Sequence, residues 1–286
     1  KLDIKLCSFI YCLNMYTFEA QLLILKYAIV IKLSSRILIM KKTLIIIPSR
    51  MQSTRLPGKP LLDMEGIPMV IRVAIKAKES NAGDVLIACC DKEIYEIAKS
   101  YDIDVVNTSA KHISGTDRIY EALTKFDPLK KVETIINLQG DMPTISSQAI
   151  NNLVNLKHSI SSDIFTLANE IKDEREKKDP NVVKVAIAIN NDNTYGKALY
   201  FSRASIPYGD GPLYHHIGIY AYSRKSLEKF IKLKASKLEL RESLEQLRAL
   251  EASMDIKVGI VDEFPIGVDN LADFKKACDY IKNNKE

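Results

Sequence analysis

The feature that most constrains this chain is a short apolar run closed by a proline and followed by a basic loop, T-L-I-I-I-P-S-R-M-Q-S-T-R-L-P-G-K-P over residues 43–60. Residues 43–47 are apolar apart from Thr43, the pattern of a strand buried on both faces. Pro48 stops that strand, because proline has no N–H to give to a ladder. The loop beyond it carries the cations Arg50, Arg55 and Lys59, the hydroxyls of Ser49, Ser53 and Thr54, and Gly58. In open α/β sheets, ligands bind outside the carboxyl ends of the strands. Two guanidinium groups and an ammonium in such a loop suit a polyanion, most simply a nucleoside triphosphate. A solvated basic loop is the other reading of the same charges.

The chain downstream alternates strand and helix patterns. Pro68 suits the first turn of a helix reaching about Ser80, and residues 85–90 read as a buried strand. Residues 92–101 form a helix pattern with Ile94, Ile97 and Ala98 on one face. A short strand at 104–107, a helix at 116–126, a strand at 134–138 and a helix at 146–157 continue the rhythm. It predicts an α/β fold, a mostly parallel sheet with helices on both faces. After Asp163 the pattern changes. Residues 182–189, the turn-prone 190–193 and residues 197–201 read as a hairpin. Residues 172–179 read as a solvated connection, 217–222 as a strand and 238–252 as one amphipathic helix. A strand at 256–261 and a helix at 271–282 close the chain.

The 286 residues suffice for one large α/β domain with an appendage, and 47% of them are apolar, enough for a substantial core. A net charge of +5 with interleaved signs, and no basic stripe with aromatics, speaks against a nucleic-acid partner. The five cysteines, Cys7, Cys12, Cys89, Cys90 and Cys278, have no metal-binding spacing and suggest reduced thiols, as in the cytoplasm. No G-x-G-x-x-G follows a predicted strand, which disfavours a dinucleotide site. Residues 1–39 stand apart. Their apolar stretches are broken by Lys26 and Lys32, so none reaches the ~20 apolar residues of a membrane span, and stable membrane insertion is not expected. Translated upstream sequence is the favoured reading of this segment, with an added structural element or a membrane-surface anchor as alternatives. The catalytic fold is expected over 40–286.

R-x-x-S-T-R-L-P-G-K-P after an apolar strand resembles the N-terminal signature of the sugar-acid cytidylyltransferases. The likeness continues in order through S-G-T-D-R (114–118), N-L-Q-G-D (137–141), L-Y-F-S-R-A-S-I-P (199–207), H-I-G-I-Y-A-Y (216–222), L-E-Q-L-R (244–248) and G-V-D-N (267–270). L-P-G-K-P and L-E-Q-L-R favour the branch that uses Kdo, 3-deoxy-D-manno-octulosonate. The resemblance implies a Rossmann-like nucleotidyltransferase fold with a small α+β region at about 180–250 that forms a homodimer. It implies a reaction in which CTP and Kdo give CMP-Kdo and pyrophosphate, for lipopolysaccharide synthesis in the cytoplasm. A sialic-acid-activating relative and a nucleotide-binding module without catalysis are the alternatives.

The resemblance also implies roles. Pro48, Ser49, Arg50, Ser53, Arg55, Lys59, Cys89 and Arg118 would meet the nucleotide, with Lys59, Arg55 and Asp141 catalytic. Asp141 and Asp269 would hold Mg²⁺, a cation usually bound by one or two carboxylates together with phosphate oxygens. Read without the resemblance, Asp141 is a turn residue and Asp269 a helix N-cap. Gln139, Arg203, His216, Glu242 and Gln246 would meet the sugar, Arg203 through its carboxylate. Glu242 and Gln246, four apart on the predicted helix, would share a face. Three departures stand out: Q-G-D-M-P places Met142 where the family has a carboxylate, Cys89-Cys90 replaces a hydroxyl, and the loop at 208–215 is short.

Overall fold

The computed structural model describes residues 42–53, 55–112 and 114–284; the expectations for residues 1–39 lie outside them. Strand β1 (Thr43–Pro48) is buried from Thr43 to Ile47, as its apolar run requires. After the basic loop come a 3₁₀ turn (Lys59–Leu61) and a small hairpin of β2 (Asp63–Met64) and β3 (Ile67–Pro68). Helix α1 (Met69–Glu79) starts directly after Pro68, whose fixed φ prepares the first turn. Then follow β4 (Asp84–Cys89), α2 (Lys92–Ser100), β5 (Asp104–Asn107), α3 (Gly115–Phe126), β6 (Thr134–Leu138) and α4 (Ser147–Ser159). The order β5-β4-β1-β6 is parallel throughout, with Ile45 level with Val85 on one side and Ile136 on the other. Ile47, Ile87 and Leu138 pack with Val70, Ala74 and Leu153 in one core cluster. The predicted βαβ rhythm describes this half of the molecule.

The second half is built differently. It comprises β7 (Ile164–Glu170), α5 (Glu174–Lys178), β8 (Lys184–Ile189), β9 (Tyr195–Ser202), β10 (Tyr214–Ser223), α6 (Arg224–Ile231), α7 (Lys237–Glu242), α8 (Gln246–Glu251), β11 (Ile256–Ile260) and α9 (Leu271–Asn283). Among the described residues nine strands form one sheet, β5-β4-β1-β6-β10-β7-β11-β9-β8. β10 runs antiparallel to both β6 and β7, and β8 pairs antiparallel with β9 as the predicted hairpin. β8 also pairs back to β10 at Lys184–His215, so β10, β7, β11, β9 and β8 close into a ring. An irregularity in β10 between Ile217 and Tyr220 bends the strand where it passes from the open sheet to the ring. The β8–β9 hairpin is so close at Gly196 that an added Cβ would lie 2.5 Å from the Ala188 carbonyl oxygen.

Three expectations change. Strand β7 and helix α6 have no counterpart in the sequence reading, and Lys172–Asp179 contains the short helix α5. The single helix expected over 238–252 is two helices. Ser243 adopts a left-handed conformation, φ 55°, ψ 46°, and ends α7. Glu242 and Gln246 therefore sit on different helices rather than on one face, and Leu240 of α7 is 70% exposed. Among the described residues no helix is long and apolar enough to cross a membrane.

Candidate active site

A cavity of about 520 Å³ opens at the carboxyl ends of β1 and β6, where a parallel sheet leaves room for a ligand. One wall is the basic loop after β1. It contributes Pro48, Ser49, Arg50, Ser53, Arg55 and Lys59, every residue of that loop assigned to the nucleotide. Gly58, at φ +67°, turns the chain into the 3₁₀ helix that begins with Lys59. The facing wall is the end of β6, with Gln139, Gly140 and Asp141. Any Cβ at Gly140 would come within 3.1 Å of the Pro48 carbonyl oxygen, so glycine lets the two strand ends approach. Gln139 donates to the Asn137 side chain at 3.2 Å.

Lys59 is the hinge of the charge arrangement. Its Nζ lies 2.8 Å from an Asp141 oxygen and 3.4 Å from an Asp269 oxygen. Arg55 reaches the same Asp269 oxygen at 2.9 Å. Asp269 comes from a loop 128 positions beyond Asp141, and the Val268 N–H fastens that loop by donating to the Asp141 carbonyl at 2.9 Å. Asp269 is not the cap of the last helix: Asn270 caps α9 and forms a capping box with Asp273. Two carboxylates that converge on one ammonium also converge on the space of one hard cation, and their oxygens are the donors Mg²⁺ takes. Among the described residues no set of three or more His, Cys, Asp or Glu gathers as a metal site, so the remaining ligands would be phosphate oxygens and water. Met142 is buried in the core beside this site and leaves the two-carboxylate pair as it stands.

The third wall is the start of α3, with Ser114, Gly115 and Arg118, preceded by His112. Ser114 caps the helix by accepting from the Asp117 N–H. Arg118 is 2% exposed; its Nη1 donates to the Thr108 hydroxyl at 2.6 Å, while Nη2 is buried with no partner among the described residues. The buried Ser49 hydroxyl is unpartnered as well. Buried donors are normally satisfied, so two orphans lining one cavity mark where a ligand's acceptors belong. Cys89 does not line the cavity. It is the last residue of β4, its side chain is in the core, and burial pushes its thiol up to about 12. Its carbonyl instead accepts from the Thr108 N–H and hydroxyl. Cys90, one residue on, lies beside Asp91, and burial and that carboxylate raise its pKa.

Of the residues assigned to a sugar, Gln139 lines the cavity and the other four are placed in and beside the ring, outside the cavity lining. Arg203 Nε donates to the Glu242 carbonyl at 2.9 Å and Nη1 to the Pro180 carbonyl at 3.0 Å. The Glu242 carboxylate accepts from the Ser202 hydroxyl and the Arg203 N–H. His216 is buried against Thr166, 3.0 Å from its hydroxyl, and burial holds the imidazole at about 3. Gln246 is buried at the start of α8. Sequence reasoning missed Glu245, which lies between the last two. It accepts from the Thr116 hydroxyl at 2.6 Å and so joins the α7–α8 turn to the cavity wall formed by α3. Burial raises its carboxyl, against hydrogen bonds from Thr116 and Ser114. L-E-Q-L-R was the available signal, but it had been read through its helix face.

Comparison with known proteins agrees with this geometry. The profile of a family described as cytidylyltransferase matches residues 44–256. A 3-deoxy-manno-octulosonate cytidylyltransferase of Rhizobium etli (strain CIAT 652) is 52% identical over 236 residues, which cover 82% of this chain and 94% of its own. One of Rhodopseudomonas palustris (strain BisB5) is 53% identical over 235 residues, covering 82% and 96%. A solved CMP:2-keto-3-deoxy-manno-octonic acid synthetase complexed with CTP aligns with a TM-score of 0.77 at 34% identity, covering 85% of this chain and 99% of that one.

Proposed function

The chain belongs to the cytidylyltransferase family and is a nucleotidyltransferase, and from that premise we propose that it transfers CMP from CTP to Kdo, releasing pyrophosphate and activating Kdo for lipopolysaccharide synthesis. The observation that carries the reading is the convergence of Arg55, Lys59, Asp141 and Asp269 in one cavity at the carboxyl ends of β1 and β6. Attack of a sugar hydroxyl on the α-phosphorus needs the two anionic substrates held close and the charge of the phosphates met. Positioning and electrostatics supply most of the catalysis in such a transfer. Arg50, Arg55 and Lys59 draw the triphosphate into the cavity. Ser49 and Arg118 offer their free donors to the nucleoside. Gln139, at the end of β6, faces the incoming sugar, and Arg203, His216, Glu242 and Gln246 shape the sugar side.

Asp141 and Asp269 would hold Mg²⁺, which when bound neutralises charge on the phosphate oxygens. Lys59 turns from these carboxylates toward phosphate when the nucleotide enters. The protein works in the cytoplasm as a homodimer, whose contact surface includes Leu199 on the hairpin and Leu240 on α7, both largely exposed. Light scattering that gives a monomer mass at micromolar concentration overturns the dimer. The reaction is tested by incubating purified protein with CTP, Kdo and Mg²⁺. Pyrophosphate is expected in step with CMP-Kdo, and its absence above background overturns the reading.

A further inference from the structure

The mechanism above leaves one half-buried histidine of the cavity unused. His112 lies in the loop between β5 and α3 and lines the cavity. Its Nε2 is paired with Glu121 of α3, and only 23% of either side chain is exposed. Glu121 is itself gripped from two further directions. It accepts from the Ser109 N–H at 2.9 Å and from Lys125 Nζ at 2.6 Å, and Lys125 also donates to the Asn107 carbonyl. Burial alone would raise the Glu121 carboxyl, but Lys125, the Ser109 N–H and His112 hold it at about 2. The imidazole is thus fixed in one orientation by a carboxylate that stays charged, the arrangement used to present the other ring nitrogen to a ligand.

Sheet order says which part of a ligand that is. β6, which carries Asp141, lies on one side of β1; β4 and β5, which lead to His112, lie on the other. The phosphate charge belongs with Lys59, Arg55, Asp141 and Asp269. The nucleoside therefore falls on the flank of His112 and of Arg118 Nη2, which is buried with no partner among the described residues. A guanidinium only donates and suits the acceptors of a base edge. A ribose hydroxyl both donates and accepts, and so does an imidazole across its protonation states. We propose that His112, positioned by Glu121, contacts the ribose hydroxyls of the bound nucleotide through Nδ1 and makes the site select ribo- over deoxyribonucleotides. The proposal rests on the nucleotide reading of this cavity but not on the identity of the sugar.

Equilibrium binding keeps the two separable. Dissociation constants for CTP, 2′-deoxy-CTP and 3′-deoxy-CTP, measured by titration calorimetry with Mg²⁺ present and no sugar, should show wild type weaker by about 10-fold for at least one deoxy analogue, the worth of one good hydrogen bond. His112→Ala should lose about 10-fold for CTP and little for that analogue, so that the preference disappears. His112→Asn, which keeps a donor and an acceptor, should keep part of it and guards against misfolding of the alanine variant. Equal losses for all three nucleotides would assign His112 to holding the loop and overturn the proposal, as would a wild type that does not discriminate. If CTP binds selectively but no pyrophosphate appears with Kdo, the sugar reading fails and this one stands.

Discussion

The two halves of the sheet differ in how they hold the side chains assigned to ligands. On the parallel half, the cavity keeps donors in reserve: among the described residues Ser49 Oγ and Arg118 Nη2 are buried without partners, and Lys59 and Arg55 pair with carboxylates that a cation would also claim. In the closed ring most polar groups are committed to one another, although the buried Asn169 Oδ1 and, beside the ring, Glu245 Oε1 have no hydrogen-bond partner among the described residues. Arg203 is held by two carbonyls, Glu242 by Ser202 and the Arg203 N–H, His216 by Thr166, and the buried Lys184 ammonium by the carbonyls of Asp179 and Arg203. Burial lowers the Lys184 pKa, with the Asp179 charge opposing. A residue whose hydrogen bonds are open loses function when replaced, with little cost to the fold. A residue whose bonds are closed loses stability first. The contrast separates a preformed binding wall from the frame that supports it.

Asp141→Asn tests the binding wall and carries the largest expected effect. The change keeps the shape and removes one negative charge from the proposed cation site. Turnover should fall by at least ~100-fold, comparable to the loss of one preorganised electrostatic contact, while the thermal midpoint stays near wild type. Among the described residues the Asp141 side chain accepts from the Lys59 ammonium alone, and it is not a packing element. Near-wild-type turnover at saturating Mg²⁺ would remove Asp141 from the site and weaken the matching case for Asp269. A large fall in midpoint with turnover intact would reverse the contrast between the halves.

Glu242→Ala tests the frame. It strips the acceptors of the Ser202 hydroxyl and the Arg203 N–H at a half-buried position. Unfolding free energy in urea should fall by about 2 kcal/mol, the usual cost of leaving such donors unpaired. The KM for sugar should rise with it, because the Arg203 backbone N–H loses the acceptor that fixes this stretch of chain, while CTP affinity stays the same. A raised sugar KM with unchanged stability would make Glu242 a direct sugar contact and place it with the open residues.

The binding wall was legible in sequence because it is local. A buried strand, a proline stop and a basic loop lie within eighteen positions, and the sheet supplies the common edge to which Asp141 belongs. What stayed hidden depends on phase and distance. Adjacent Cys89 and Cys90 must face opposite ways, but nothing local says which one enters the core. The Leu-rich run through 238–252 conceals the left-handed Ser243, since serine carries no obligatory turn signal. β7 escaped notice because Thr166, buried and bonded to two carbonyls, interrupts its apolar run. The Glu245–Thr116 bond joins residues 129 apart, and His112–Glu121 forms only once the loop folds back onto α3. The likeness to a family supplied the sugar-side residues without their contacts.

The smallest expected effect is a pH dependence confined to the ring. Burial holds His215 and His216 at about 3, against an ordinary value of 6.5, with the Lys184 charge also pressing on His215. In the unfolded chain the same imidazoles take up protons near 6.5. The folded state therefore holds its full advantage above that value and loses it as pH falls from about 6.5 toward 3, since only the unfolded state binds the protons. Between pH 7 and 6 the two histidines together should lower unfolding free energy by about 1 kcal/mol. Most carboxylates titrate below this window, so the change belongs to histidine. His215 stacks on Phe264 and has no hydrogen-bonded ring partner among the described residues, so His215→Gln is the milder probe and should remove roughly half of the slope. Its stability at pH 7 is the control for lost packing. An unchanged slope would mean that the ring admits water to these imidazoles, and the frame would then be less closed than the binding wall it supports.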